Sequence, residues 1–317
     1  MSGGRVVVVG SINDDVILAV DHLPAAGETI VARSVRHASG GKGANQAYGA
    51  ARSTRGVPVV MIGAVGADAP GTRMRVELAA AGVDVSHVRE VAEGSGIALI
   101  AVDGDGENLI VVAPGANHVW PAAVEMPFTP DDVVVLQLEI PLGVARSVAR
   151  LARRAGARVV LNAAPVVEGA GALLPDVDIL VVNEIEAGEL LGLSDLEPAT
   201  VAAAGNRAEL DVVVTLGADG AVVCARGAAP ASVASIRVDA LDSVGAGDAF
   251  VGALAGALAS GVDLETAARR GSAAGALTVT VSGARHPALS PDLLDDLLAS
   301  AVAADRPFPP HETRNNP

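Results

Sequence analysis

The chain has 317 residues, with 22 Lys and Arg against 37 Asp and Glu, a formal net charge of −15. Half the residues are hydrophobic but only one Trp, one Tyr and three Phe are present, a composition of Ala and Val that suits strands under Ala-rich helices and excludes a coiled coil or a disordered chain. The acidic balance speaks first to solubility and sets nucleic acid and anionic lipid aside as partners, while the single cysteine, Cys224, allows no internal disulfide and no cysteine-based zinc site.

The opening MSGGRVVVVGS has too short an apolar run for a signal peptide. No run approaches the ~20 apolar residues of a membrane span, and a cytoplasmic protein is expected. Val6 to Val9, closed by Gly10, reads as a buried strand. Val16 to Arg36 reads as strands and turns without a helix. Asn45 to Arg52 has helical spacing, Val57 to Gly63 is a strand, and Thr72 to Ala81 is a helix. Gly96 to Val112 again lacks a helix; Ile97 to Val102, the turn DGDGEN and Leu109 to Val112 make a hairpin. Strands at Val133 to Leu138, Arg158 to Asn162, Ile179 to Val182, Val212 to Leu216 and Ala221 to Ala225 then alternate with helices. Those helices run Leu142 to Ala155, Glu184 to Leu191 and Ala199 to Glu209. Gly247 to Ser260, Leu264 to Ser282 and Pro291 to Ala304 read as helical.

This alternation predicts an α/β fold: a mostly parallel central sheet flanked by helices. The two helix-free stretches, about 16–36 and 96–112, are expected to form a small β-sheet lid. One domain over 1–304 is expected, with a Pro-rich, polar tail over 305–317 left disordered.

Five segments carry candidate chemistry. In SINDD, Ser11 to Asp15, polar side chains follow the first strand, where the ligand crevice of an α/β sheet lies. Asn13 and Asp15 suit sugar hydroxyls there, although Asn and Asp also favour a plain turn. SGGKGANQA, Ser39 to Ala47, is a glycine-rich loop before a helix, where Lys42 brings charge and Asn45 both donates and accepts. Gly43 after Gly41-Lys42 rules out a Walker A loop, and no GxGxxG occurs. Gln137 and Glu139 end the strand VVVLQLE, either facing the crevice or meeting solvent. Asn183 and Glu186 in VVNEIEAGEL are three apart, on one helical face; they suit metal-bound water near phosphates, and helix capping equally well.

The fifth is DSVGAGDAF, Asp242 to Phe250. The glycines on either side of Ala246 carry no Cβ, so backbone N–H groups of this GAG turn can converge on one anion at a helix N-terminus. Asp248 in the first helical turn is placed to take a proton from an attacking hydroxyl. It could also simply favour the helix N-terminus.

In order, these segments resemble the ribokinase-like (PfkB) family of sugar and nucleoside kinases. The resemblance runs from about Val6 to Gly283. TLGADG, Thr215 to Gly220, and DSVGAGDAF mark the family. SIND, GGKGANQA at Gly40 to Ala47, PAAGET at Pro24 to Thr29 and DGENLI at Asp105 to Ile110 point to its ribokinase branch. NEIEA at Asn183 to Ala187 belongs to the same pattern.

The resemblance implies a large α/β domain with a β lid, often paired with another subunit's lid in a homodimer. It implies transfer of phosphate from ATP to the 5-hydroxyl of D-ribose, with Mg²⁺ and K⁺ as cofactors. Asp248 then corresponds to the base and Gly245, Ala246 and Gly247 to the anion hole. Asn13, Asp15, Gly41, Lys42, Asn45 and Glu139 correspond to sugar ligands. Asn183, Thr215, Gly217 and Gly220 fall on the nucleotide side. Ser272 does too, where relatives tend to carry Asn near the adenine. Glu186 corresponds to a residue organising Mg²⁺ through water. Asp242, Val244, Thr278, Val281 and Gly283 fall where a monovalent cation binds, all but Asp242 through backbone carbonyls. The last cation ligand, past Gly283 in ARHPA, has no assignment. The alternatives are a kinase of the same family for fructose, deoxyribose or adenosine, and a non-catalytic sugar-binding regulator. The scarcity of aromatics to wall a nucleobase favours a bare sugar over a nucleoside.

Overall fold

The computed structural model describes residues 4–121 and 126–304; the expected tail lies outside them. In chain order the first elements are β1 (Val6–Val9), β2 (Asn13–Ala19), β3 (Ser34–Gly40), α1 (Lys42–Ser53), β4 (Val59–Gly66), α2 (Ala69–Ala80) and β5 (Val83–Val91). Then come β6 (Gly96–Val102), β7 (Asn108–Ala113), β8 (Val133–Leu136), α3 (Leu142–Arg154), β9 (Arg158–Asn162), β10 (Ile179–Asn183), α4 (Glu184–Leu191) and α5 (Pro198–Ala208). The chain continues through β11 (Asp211–Thr215), β12 (Ala221–Cys224), β13 (Ala231–Val233), α6 (Ala246–Ala259), α7 (Leu264–Thr278) and α8 (Pro291–Ala304).

Nine strands form one sheet in the order β13-β12-β11-β10-β9-β8-β1-β4-β5. The pairings from β11 across to β5 are parallel, and β12 and β13 add antiparallel at one edge. The four valines of β1 are all fully buried. Alternation along the strand sends Val6 and Val8 into one core and Val7 and Val9 into the other. A strand can be apolar throughout only when both its faces are covered. Side chains of α1, α2, α6 and α7 fill the first core; those of α3, α4 and α5 fill the second.

A second sheet of four strands, ordered β3-β2-β6-β7, stands apart from the first. Its β6–β7 pair is the hairpin expected from Ile97 to Val112. The fold is therefore the expected one: a large, mostly parallel sheet between helices, plus a small separate sheet.

Three local readings differ. SINDD is no turn: Asn13 to Asp15 already belong to β2, paired with β3 and β6. The sequence offers polar residues where a turn is cheap, but the ladder to two neighbours satisfies the backbone better. The last long helix, α7, stops at Thr278 rather than Ser282. Its continuation is bent away because Asp242 captures the Gly283 amide at 2.8 Å and Val279 carbonyl accepts from Leu241 and Asp242. Edge strand β5 escaped the sequence reading because only two of the nine positions of VDVSHVREV are buried, and an edge strand with one wet face loses its apolar run.

Candidate active site

The sheet grows in opposite directions from β1, toward β4 on one side and toward β8 on the other. Such a reversal opens a crevice beyond the carboxyl ends of the strands. Ser11 after β1, Glu139 after β8, Asn162 closing β9, Asn183 closing β10 and Thr215 closing β11 all sit at that edge.

Asp248 is the third residue of α6, behind its N-cap Gly245. Gly245 has φ 77°, and a Cβ there would lie 2.3 Å from the Ala284 carbonyl oxygen. Both facts demand glycine. The first helical bond runs from Ala249 N–H to Gly245 O at 2.9 Å. The amides of Gly247 and Asp248 therefore precede the helical ladder and lack partners within it. A Cβ on Gly247 would meet nothing within 4 Å, so this end of α6 faces open space. Such an end can receive an anion.

The Asp248 carboxylate is buried, and two side-chain amides orient it. Asn45 Nδ2 donates to one oxygen at 3.1 Å and Gln46 Nε2 to the other at 3.0 Å. Gln46 is itself anchored: its Nε2 also donates to Asn162 Oδ1 at 2.9 Å, and its Oε1 accepts from Gln137 Nε2 at 2.7 Å. The carboxylate is thus held in one orientation by groups that cannot titrate.

The residues expected on the sugar side cluster beside it. Gly41 caps α1, and Lys42 N–H donates to Glu139 Oε2 at 3.0 Å. Ser11 Oγ donates to the same oxygen at 2.5 Å. Asn13 Oδ1 accepts from Asn117 Nδ2 at 2.7 Å, which fixes its amide orientation. Burial first, then the neighbouring Glu139 carboxylate, pushes Asp15 up to about 7, while Arg285 pulls the other way. Burial alone would lower the Lys42 ammonium, but Asp248, Glu139 and Glu186 outweigh it and hold the pKa above the ordinary lysine value. Lys42 therefore answers three carboxylates in the crevice.

Asn183 and Glu186 make the reciprocal N-terminal cap of α4: Asn183 Oδ1 accepts from Glu186 N–H, and Glu186 Oε2 from Asn183 N–H, both at 2.9 Å. Capping does not remove them from the crevice. Burial raises the Glu186 carboxyl above its usual value, with the Asn183 amide and Lys42 opposing. Thr215 Oγ1 bonds the Val182 carbonyl at 3.3 Å. Gly217 and Gly220 both have positive φ in the turn that follows β11. Ser272 lies on α7, bonded to Ala234 O at 3.4 Å, apart from the polar cluster around Asp248.

Asp242 ties its own loop together. Its Oδ1 accepts from Val244 N–H at 3.0 Å and its Oδ2 from Gly283 N–H at 2.8 Å. The Thr278 hydroxyl donates to Ala274 O at 2.8 Å, and the Thr278 carbonyl accepts from Val281 N–H at 3.3 Å. Among the described residues no three His, Cys, Asp or Glu side chains cluster as a metal cage. No helix among them is long and apolar enough to cross a membrane.

The sequence reading missed three groups. Gln46 and Asn162 complete the Asp248 scaffold. Gln46 was legible in principle, as the residue after Asn45 in the same loop-to-helix motif. Arg285 stands in the unassigned ARHPA stretch, and its Nε donates to Asn45 Oδ1 at 2.9 Å. Nothing in the sequence places it beside α1. The chain turn after α7 does that.

The profile of pfkB family carbohydrate kinases matches residues 4–291. The chain is 37% identical over 287 residues to ribokinase of Haemophilus influenzae, covering 88% of this chain and 93% of that protein. It is 34% identical over 301 residues to ribokinase of Bacillus subtilis, covering 93% and 99%. Among solved structures it superposes on Arabidopsis thaliana ribokinase complexed with ribose and ATP at a TM-score of 0.84, with 32% identity over 94% of this chain and 99% of that one. Ribokinase from Thermotoga maritima gives a TM-score of 0.80 at 28% identity, covering 93% and 99%. With this fold, this crevice and these relatives, the chain belongs to the pfkB family of carbohydrate kinases.

Proposed function

We propose that this protein transfers the γ-phosphoryl group of ATP to the 5-hydroxyl of D-ribose. The observation that carries the reading is the placement of Asp248. It is a buried carboxylate oriented by two amides, one residue past an open, amide-lined helix N-terminus. The relatives named ribokinase, and the plant enzyme complexed with ribose and ATP, supply the acceptor and donor.

In this reading Asn13, Asp15, Gly41, Lys42, Asn45 and Glu139 hold the sugar. Asp248 accepts the proton of the attacking hydroxyl as the O–P bond forms and the bond to the ADP leaving oxygen breaks. The amides of Gly245, Ala246 and Gly247 face the charge on the transferring phosphoryl oxygens. Lys42 adds the positive potential that a chain of net charge −15 must provide locally. Asn183, Thr215, Gly217, Gly220 and Ser272 flank the nucleotide.

Glu186 fits an outer position around Mg²⁺, since its Oε2 is engaged by the cap while Oε1 has no such bond in that motif. When bound, Mg²⁺ neutralises charge on the nucleotide phosphates. Asp242 with the carbonyls of Val244, Thr278, Val281 and Gly283 would supply an all-oxygen, singly charged donor set, a chemistry that suits K⁺. Consumption of ATP fits a cytoplasmic location.

A homodimer through the lid belongs to the same proposal. In the β6–β7 hairpin, Leu99, Leu109, Ile110, Val111 and Val112 are all at least 38% exposed. Alternation puts them on both faces of the sheet. One face can close over the substrate and the other can meet a second lid.

The test is an ADP-release assay with a panel of pentoses, hexoses and nucleosides. D-Ribose is expected to give the highest kcat/KM. Preference for a nucleoside or fructose would replace the acceptor, and no ADP release with any of them would favour a binding protein.

A further inference from the structure

Arg285 has a place in the crevice that the phosphoryl-transfer scheme does not use. It follows directly on the segment that closes the Asp242 loop. Gly283 N–H bonds Asp242 Oδ2 at 2.8 Å, Ala284 lies against Gly245, and Arg285 Nε donates to Asn45 Oδ1 at 2.9 Å. Next, the His286 carbonyl accepts from Tyr48 Oη at 3.1 Å. Four consecutive residues thus touch the loop, the helix end and the sugar side in turn.

The guanidinium is stacked over the Tyr48 ring, 5.4 Å from its centroid. That fixes the plane of the fork. Asn45 is held from both ends: its Oδ1 by Arg285, its Nδ2 against Asp248. The charge of Arg285 is felt by both Asp15 and Asp248. Its Nη2 is buried and has no hydrogen-bond partner. A buried, unpartnered donor on a charged group is costly, and beside the reacting groups it calls for something to receive the bond. A free carboxylate-bearing ligand is disfavoured, because Asp15, Glu139 and Asp248 already outnumber Lys42 and Arg285. The receiver is then an oxygen of the acceptor or of a phosphate, and the bond of the same guanidinium to Asn45, an acceptor-side residue in this reading, favours the first.

We propose that Arg285 is a specificity-determining residue of the acceptor pocket: Nε fixes the Asn45 amide, and Nη2 donates to one hydroxyl or ring oxygen of the bound sugar. The inference rests on the reading of this crevice as a sugar-kinase site. An acceptor that lacks the matching oxygen leaves Nη2 unpaired and is rejected.

The experiment compares the full chain and Arg285→Met on ribose and a series of singly deoxygenated riboses, with kcat and KM for sugar and ATP measured separately. The parent is expected to lose at least about tenfold in kcat/KM on one analogue. Arg285→Met is expected to raise the sugar KM, leave the ATP KM unchanged, and erase the penalty on that analogue alone. A uniform loss across all analogues, or an unchanged sugar KM, overturns the inference. Should the methionine variant not fold, Arg285→Lys decides: it keeps the charge but cannot serve Asn45 and the sugar together, so it must show the same position-specific loss. Should the parent ignore ribose, the ribose reading falls by itself. The deoxygenated series of whichever acceptor the panel selects then tests Arg285 by the same criterion.

Discussion

Asp15 shows the tension between binding and stability at the level of one residue. Burial and the Glu139 carboxylate raise its pKa to about 7, against an ordinary value of 3.8. Between those two values the native state keeps a proton that the unfolded chain has released. The sign is therefore negative: Asp15 subtracts from stability increasingly as pH rises through that window, and fully above it. Asp15→Asn is expected to match the parent's melting temperature at pH 4 and exceed it at pH 8, while its sugar KM rises. Equal melting temperatures at both values would show that Asp15 is not perturbed. Residues such as Asp15, Lys42 and Asp248 were legible because each follows a glycine-rich or strand-ending motif whose chemistry is local. Asn162 and Arg285 were not, because their roles come from partners far away in sequence: Asn162 bonds Gln46, and Arg285 bonds Asn45.

Two helices set the spacing of the site. Asn45 and Gln46 on α1 reach Asp248 on α6 only because these helices pack backbone to backbone. A Cβ on Gly252 would lie 2.4 Å from Gln46 O and 2.7 Å from Ala50 N. Gly252→Ala is expected to destabilise the protein by about 1–3 kcal/mol, the usual cost of overpacking. It should also lower kcat by pushing apart the amides and the carboxylate they orient. Denaturant melts and steady-state kinetics on the variant check both; a stable variant with parental kcat would mean that the helix spacing is not critical. At this scale, strands buried on both faces, such as β1 and β8, were readable from their valines. Edge strand β5 was not, since exposure erases the pattern, and the end of α7 was set by Asp242, a residue on another segment.

Over the whole molecule, alternating strands and helices made the large sheet readable, and two helix-free stretches announced the small one. Their pairing across sequence was not readable: β2 lies between β3 and β6, and its ladder begins at Asn13. This ladder carries Asn13 and Asp15, so the small sheet and the crevice are joined through β2. The proposed lid-to-lid dimer predicts a dimeric parent and a monomeric Ile110→Asp variant in sedimentation velocity; a monomeric parent would overturn the dimer, and a dimeric variant would move the interface elsewhere. The central claim is chemical, and the direct measurement is turnover of Asp248→Asn with saturating ATP and D-ribose, alongside its affinity for ATP. Removal of the base predicts a fall in kcat of about 10²–10⁴-fold with ATP affinity retained. Near-parental turnover in that variant would contradict the assignment of Asp248 as the proton acceptor.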